Sequence, residues 1–496
     1  MTQKLEVKTI NQYFWFFILF HILLWTLIPA LVRYALPMDA LEGTVWGTHF
    51  QLGYDKNPFM NGWLTELALY IGGNSGWMLY LFCQLSVGIA LWGVFQLGQK
   101  ILPPLYALTA VILLEGLQYF NFHAFDFNDN TLELGIWSLL ILFYYQAITS
   151  NKIRYWLLTG FLAALGMMTK YFIVMLLVPM FLFIFYDQNT RSQFKKPGLY
   201  YGLLIFIGIS LPHFIWLFFH DFVTIRYAFE RVSNDPNWYN HIAFPLKFGW
   251  SQLECFIPAL LLFLLTLIGK SSNNSSEFVV SKFNRTFLLF IGLAPFLLTE
   301  LLSGITGISL RAGWGQPLLI DWTLILIALT MPQLNLVRLQ RIFICVLGLM
   351  VAAGATYTYC LIQAKAPSSA NYPGKIIANV LTDKWQTKYN SQLAYVAGPR
   401  WVAGNVAFYS KDKPNVYMEW NQKVNPWIDE SKLKNTGAVF VWDPEERYQV
   451  SYEEIKQRFP TITKQEIMHF TWMRNKRMTP VLIYVAFLPP PKNAIS

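Results

Sequence analysis

Apolar runs of about 20 residues, the length that crosses a bilayer core, recur along most of this chain, and its charges are confined to short clusters between them. The runs cover residues 13–31, 76–97, 103–119, 131–149, 155–186, 199–219, 249–268, 286–302, 317–331 and 342–362. Composition agrees with that pattern. The chain is 55% hydrophobic and 13% charged, against roughly 45–50% and 25% for a soluble domain. A large soluble protein would need a more charged exterior, so the chain reads as integral to a membrane. The first run follows Lys4 and Lys8 but is too long for a signal h-region and lacks a small-x-small cleavage site. It reads as a retained transmembrane helix.

The run at 155–186 is 32 residues long and as one helix would span about 48 Å, against a hydrocarbon core of about 30 Å. Gly166 and Lys170 interrupt it, so it is expected to form two short spans meeting at Lys170, which makes about eleven crossings. The basic residues support this count. With the N-terminus inside, the inner segments hold Lys4, Lys8, Lys100, Lys152, Arg154, Arg191, Lys195, Lys196, Lys270, Lys282, Arg285, Arg338 and Arg341. Their only acids are Glu6, Asp187 and Glu277. The outer loops hold Asp39, Glu42, Asp55, Glu66, Asp126, Asp129, Glu133, Asp221, Glu230 and Asp235. Excess Lys and Arg marks the cytoplasmic side. Residues 271–276 read as a polar linker on that side.

After residue 362 the pattern changes. Short extended stretches at 393–396, 405–409, 416–418, 438–442 and 481–487 alternate with helix-like pieces at 375–389 and 452–459. The expected fold class is mostly α. A polytopic transmembrane helical bundle fills residues 1–362, and a small soluble α/β domain fills 363–496 on the outer, periplasmic side. The tail carries 18 Lys and Arg against 11 Asp and Glu. Such a basic surface beside a membrane suits solvent or anionic lipid head groups. It lacks zinc-finger and RNA-binding signatures, so no nucleic-acid partner is expected. The four cysteines (Cys83, Cys255, Cys345, Cys360) lack paired spacing and read as buried apolar thiols.

The stretch just beyond the first run, Met38-Asp39-Ala40-Leu41-Glu42-Gly43, continues to Gly53-Tyr54-Asp55-Lys56-Asn57-Pro58. Asp39 and Glu42 are three apart and would share a helix face. A helix cap with an acid on its first turn is the structural reading. Company favours chemistry. Lys56 lies in the same loop, Asp126, Asn128, Asp129 and Asn130 crowd the next, Lys170 marks the break in the long run, and Arg311 lies in the last outer loop. Ionisable groups at a bilayer edge are costly, and are usually paired or functional. Bases and cations at one depth suit a nucleophile to deprotonate and an anionic leaving group to hold. His123, His213, His220 and His241 have no visible triad partner and read as packing histidines. Trp63, Trp77 and Trp238 read as an interfacial belt.

The ordered set Asp39-x-x-Glu42-x-x-x-Trp46-Gly47, Gly53-Tyr54-Asp55-Lys56-Asn57-Pro58, Lys170-Tyr171 and Arg311-Ala312-Gly313-Trp314-Gly315-Gln316-Pro317 resembles bacterial glycosyltransferase family 39. Tyr372-Pro373-Gly374-Lys375 and Val396-Ala397-Gly398-Pro399-Arg400-Trp401 extend the likeness into the tail. That group holds protein O-mannosyltransferase-like enzymes and the aminoarabinose transferase of lipid A, in the C-type membrane glycosyltransferase superfamily. The resemblance implies a polyprenyl (undecaprenyl) phosphate-sugar donor and a glycolipid acceptor, lipid A or lipopolysaccharide core, at the bacterial inner membrane. It puts the first-loop acid on Asp39 and the second on Asp129, with Lys56 and Arg311 on the donor phosphate. Asp39 then acts as base in a direct inverting displacement. Lys170, Tyr54, Glu42 and Trp314 are further expected substrate contacts. Adjacent Asp-Glu, usual in eukaryotic-type protein mannosyltransferases, is replaced here by separated Asp39 and Glu42, which weighs against a protein acceptor. No metal site is expected, with a divalent cation at the acidic loops as the lesser reading. A lipid or sugar transporter is the alternative from another class, but no internal repeat is visible.

Overall fold

The computed structural model describes residues 2–230, 237–268, 278–444 and 451–491. The side chains of Lys4 and Glu6, together with Asp235, Lys270, residues 271–276 and Glu277, lie outside the described residues. The helices are α1 (Thr2–Val32), α2 (Met38–Gly47), α3 (Met60–Ile71), α4 (Trp77–Ile101), α5 (Pro104–Leu113), α6 (Asp129–Ser150), α7 (Ile153–Thr169), α8 (Val174–Tyr186) and α9 (Pro197–Phe219). They continue as α10 (Val223–Glu230), α11 (Asn240–Leu264), α12 (Lys282–Thr306), α13 (Trp322–Thr330), α14 (Leu336–Gln363), α15 (Gly374–Tyr389), α16 (Arg400–Tyr409), α17 (Glu430–Thr436) and α18 (Tyr452–Arg458). The chain forms two compact units. One comprises Met1–Leu27, Lys56–Met60 and Tyr80–Gly354, and the other Ile28–Asp55, Asn61–Leu79 and Ala355–Ser496.

Among the described residues, the apolar segments read from the sequence fall on seven helices long and apolar enough to cross a membrane (α1, α4, α6, α9, α11, α12 and α14), one bent pair and three shorter helices. The long run breaks at Lys170, whose backbone is extended at φ −161° and ψ 136°. Beyond it a 3-10 turn leads into α8. Gly166 makes this break compact, because a Cβ there would lie 2.7 Å from Ile173. Two runs are less regular than expected. The run at 103–119 is helical only to Leu113 and then passes into 3-10 turns. Asn121 takes up the freed carbonyls of Glu115 (2.8 Å) and Leu117 (3.2 Å). The run at 317–331 is a 3-10 helix, Ala312–Leu319, bent by 45° against α13.

Without a hydrophobic drive between helices in lipid, small residues and satisfied polar groups set the packing. A Cβ on Gly160 would fall 2.0 Å from the Gly202 carbonyl, so α7 and α9 touch backbone to backbone. A Cβ on Gly93 would fall 2.6 Å from Ser138 Oγ, which sets the approach of α4 to α6. Buried His21 pairs through Nδ1 with Glu115 (2.7 Å). The other Glu115 oxygen accepts from Trp25 Nε1 at 3.0 Å. Gln84 contacts the second His21 nitrogen (3.1 Å) and donates to the Ala124 carbonyl (2.8 Å). This network fixes the turn that precedes α6. Cys83 and Cys255 are buried as expected, whereas Cys345 and Cys360 are exposed on α14.

The second unit contains a five-stranded sheet in the order β2-β1-β3-β5-β4. Its strands are β1 (Tyr395–Gly398), β2 (Asn415–Met418), β3 (Ala438–Trp442), β4 (Glu466–Phe470) and β5 (Val481–Leu488). β1 pairs parallel with β2 and β3, and β5 pairs antiparallel with β3 and β4. Aromatic and aliphatic side chains such as Tyr417, Phe440 and Phe459 form its core. Residues 405–409, expected to be extended, belong to helix α16. Their apolar run looks like a strand, but buried Val402, Ala403 and Val406 follow a helical spacing. Strand β4 was not anticipated because only Met468 and Phe470 are buried on it, leaving no apolar run to read. Gly160→Val should clash with α9 and destabilise the bundle by about 1–3 kcal/mol. Thermal melting in detergent checks this, and a wild-type melting temperature would contradict the backbone contact.

Candidate active site

In the first unit, Asn128 caps α6 by accepting from the Thr131 N–H (3.1 Å). That cap sets Asp129, buried, on the first turn. Its Oδ2 accepts from Asn57 Nδ2 at 2.5 Å, so the residue following Lys56 is tied to α6. Lys56 Nζ stands 5.6 Å from the Tyr227 ring centroid. Lys170 Nζ donates to Asn130 Oδ1 at 2.5 Å and stands 5.1 Å from the Trp314 ring and 5.6 Å from the Phe172 ring. The structure therefore joins Lys170 and Trp314 to the start of α6. Glu133, one turn beyond Asp129, is fully buried; Oε1 accepts from Trp137 at 3.4 Å, and Oε2 has no hydrogen-bond partner among the described residues.

Arg311 is exposed at the head of the 3-10 helix Ala312–Leu319. The adjacent Ala312 carbonyl accepts from the Tyr119 hydroxyl (2.7 Å) and the Gln252 amide (3.1 Å). A Cβ on Gly315 would fall 2.0 Å from Gln252 Oε1, so glycine lets the turn lie against α11. Tyr119 and Gln252 thus position the backbone beside Arg311.

In the second unit, Pro37 occupies the cap position of α2, and Asp39, half-buried, lies on the first turn. Asp39 is therefore not the cap. Its carboxylate is favoured by the positive end of the helix. Glu42 is buried and forms an ion pair with Arg400. Arg400 also pairs with Asp55 (2.5 Å) and Glu419 (2.7 Å). Burial alone would lower the Arg400 pKa, but the charges of Asp55, Glu42 and Glu419 outweigh it and hold it well above its usual value. Tyr54 is buried, stacked on Trp46 at 5.3 Å, and its hydroxyl donates to the His49 carbonyl (2.9 Å). Burial pushes that hydroxyl pKa up, so it stays protonated. Glu42 and Tyr54 are thus engaged in the protein's own contacts.

The four histidines have structural partners. His213 Nε2 meets the Tyr171 hydroxyl (2.6 Å), which also contacts Thr224 (2.8 Å). His220 Nδ1 donates to the Trp216 carbonyl (2.8 Å), His241 Nδ1 to the Gly304 carbonyl (2.8 Å), and His123 packs edge-on against Tyr119. Among the described residues no group of three or more His, Cys, Asp or Glu side chains is arranged to hold a metal ion. Sequence reasoning missed Arg400, Asn57, Tyr119 and Gln252 as parts of these arrangements. Only Arg400 carried a signal, an arginine placed directly after a strand-Gly-Pro turn.

The dolichyl-phosphate-mannose-protein mannosyltransferase family model matches residues 56–216, a stretch that holds Lys56, Asp129 and Lys170. The structure of ArnT from Cupriavidus metallidurans bound to undecaprenyl phosphate has the same fold, with a TM-score of 0.64 and 11% identity over 96% of this chain and 99% of that one. The apo state of ArnT from Cupriavidus metallidurans aligns with a TM-score of 0.60 and 12% identity over 95% of this chain and 97% of that one. No curated protein matches the sequence. The family model thus covers about a third of the chain, and the fold is shared over nearly all of it. Its architecture is ArnT-like over nearly its whole length.

Tyr119→Phe removes one of the two donors to the Ala312 carbonyl and should cost about 0.5–1.5 kcal/mol. Melting of the purified variant in detergent reads this, and no change would mean that Gln252 alone holds the turn.

Proposed function

We propose that the chain moves a sugar from an undecaprenyl phosphate-sugar donor to a glycolipid, lipid A or lipopolysaccharide core, on the periplasmic face of the bacterial inner membrane. In this reading the N-terminus is cytoplasmic and the C-terminal domain periplasmic. The observation that carries it is the extent of the shared fold, 96% of this chain, with a protein that holds undecaprenyl phosphate. The charges described above supply the chemistry. Asp39 accepts the proton of an acceptor hydroxyl or phosphate oxygen as that oxygen attacks the anomeric carbon. The bond from that carbon to the donor phosphate oxygen breaks, its electron pair leaves with undecaprenyl phosphate, and the anomeric centre inverts.

Negative charge grows on the phosphate as the bond breaks, and Lys56 and Arg311 stabilise it. Arg grips phosphate through two N–H groups and Lys as a point charge. Asp129 steadies the Lys56 segment through Asn57. Lys170, over the Trp314 ring, offers a cation and an aromatic face to the sugar or its phosphate. Glu42 and Tyr54 shape the segment that carries Asp39. A protein acceptor is the second reading, favoured by the description of the matching family. The separation of Asp39 from Glu42 weighs against it.

Mass spectrometry of lipid A and core from cells with and without the gene tests the acceptor. A sugar-sized mass gain that disappears with Asp39→Asn is expected, and an unchanged glycolipid profile would contradict the lipid A assignment. Asp39→Asn should slow transfer about 10²–10⁴-fold. Lys56→Ala or Arg311→Ala should each slow it about 10²–10³-fold. Wild-type transfer by Asp39→Asn would remove its role as base.

A further inference from the structure

The parallel part of the sheet has the connectivity of an open α/β unit. The chain leaves β1 through α16 to β2 on one side, then returns past β1 to β3 on the other. In such sheets ligands are held beyond the carboxyl ends of the strands, at the point where the strand order reverses. Here the carboxyl end of β1 leads through Gly398 and Pro399 to Arg400, on the first turn of α16. The carboxyl end of β2 leads directly to Glu419. A Cβ on Gly398 would fall 2.1 Å from the Val441 carbonyl, so the strand ends lie close together.

The group bound there belongs to the chain itself. The Arg400 guanidinium takes Glu42 from α2 and Asp55 from the end of the following loop. Gly404 lets α2 lie along α16, since a Cβ there would meet Leu41 at 3.2 Å. Between the two carboxylates, the loop is closed by the Trp46–Tyr54 stack and the bond from Tyr54 to the His49 carbonyl. Asp39 lies one turn before Glu42 on α2.

We infer that Arg400 is a positioning residue for the transfer reaction: the strand-end corner of the C-terminal domain works as a carboxylate clamp that fixes the helix carrying Asp39. One planar fork that grips Glu42 on α2 and Asp55 at the end of the loop that follows ties both ends of this segment in a set direction, which a single ammonium cannot do. The inference rests on the reading of Asp39 as the base.

Arg400→Lys keeps the charge and removes the fork. In the full-length protein in detergent, amide deuterium uptake across 38–55 should quicken at least about tenfold, while helix α15 stays as protected as in wild type. Glycolipid formation should slow about 10–100-fold, the cost of roughly 1 Å of misplacement. The Kd for added undecaprenyl phosphate should stay within about threefold. Uptake across 38–55 equal to wild type would overturn the clamp, and so would uptake that rises equally in α15. Glycolipid formation within twofold of wild type would also overturn it. Should Arg400→Lys not accumulate, Asp55→Asn, which weakens one arm of the fork, reads the same uptake. If wild-type protein transfers no sugar, the Asp39 reading fails, and the uptake comparison still decides the clamp.

Discussion

Arg400 meets Glu42 and Asp55 out of water and half-buried Glu419 at the edge, and the arrangement of the second unit depends on their pairing. Burying such groups gains little net stability over well-packed apolar side chains, but losing one partner costs about 3–5 kcal/mol. The value of the arrangement is therefore uniqueness. An apolar face on α2 would tolerate several rotations against α16, whereas a forked cation that holds Glu42 on α2 and Asp55 beyond it restricts both the helix and its loop. Neighbouring polar contacts hold the same region. Arg33 donates to Tyr357 and Ser369 (both 3.1 Å), and Arg474 donates to the Val32 carbonyl (2.9 Å).

The first unit meets the same constraint in a setting with less water. His21, Glu115, Trp25 and Gln84 satisfy one another deep among apolar helices. Their bonds hold the turn that leads to the Asn128 cap and to Asp129. Lys170 sits where a helix has stopped, with Asn130 as acceptor and Trp314 as an aromatic face. In both units, then, Asp39, Asp129 and Lys170 lie on helix first turns or at a helix break. Backbone N–H and C=O groups there are not consumed by the helix, so polar side chains have local company.

Much of this was legible in the sequence because charge interrupts grease. The break at Lys170 followed from a run too long for the bilayer, and strands β1, β2, β3 and β5 followed from short β-rich stretches. The Arg400 clamp was not legible, since its partners Glu42 and Asp55 lie 358 and 345 residues away and no local pattern links them. Helix α16 was hidden because a short apolar run fits either period, and its contact with α2 is a tertiary fact. The 3-10 segment before α13 was obscured by Pro317, which reads as the start of a span. Its turn is instead held by Tyr119 and Gln252, far away in sequence. Sequence spacing gives the chain neighbours of Glu42 and Tyr54 and says nothing of what buries them.

The proposed sugar transfer requires a lipid-linked phosphate donor held by Lys56 and Arg311. Native mass spectrometry of the purified protein with added undecaprenyl phosphate tests it most directly. The account predicts one retained lipid per chain, lost when Lys56 and Arg311 are both changed to Ala. Absence of a retained lipid, or equal retention by the double variant, would contradict it.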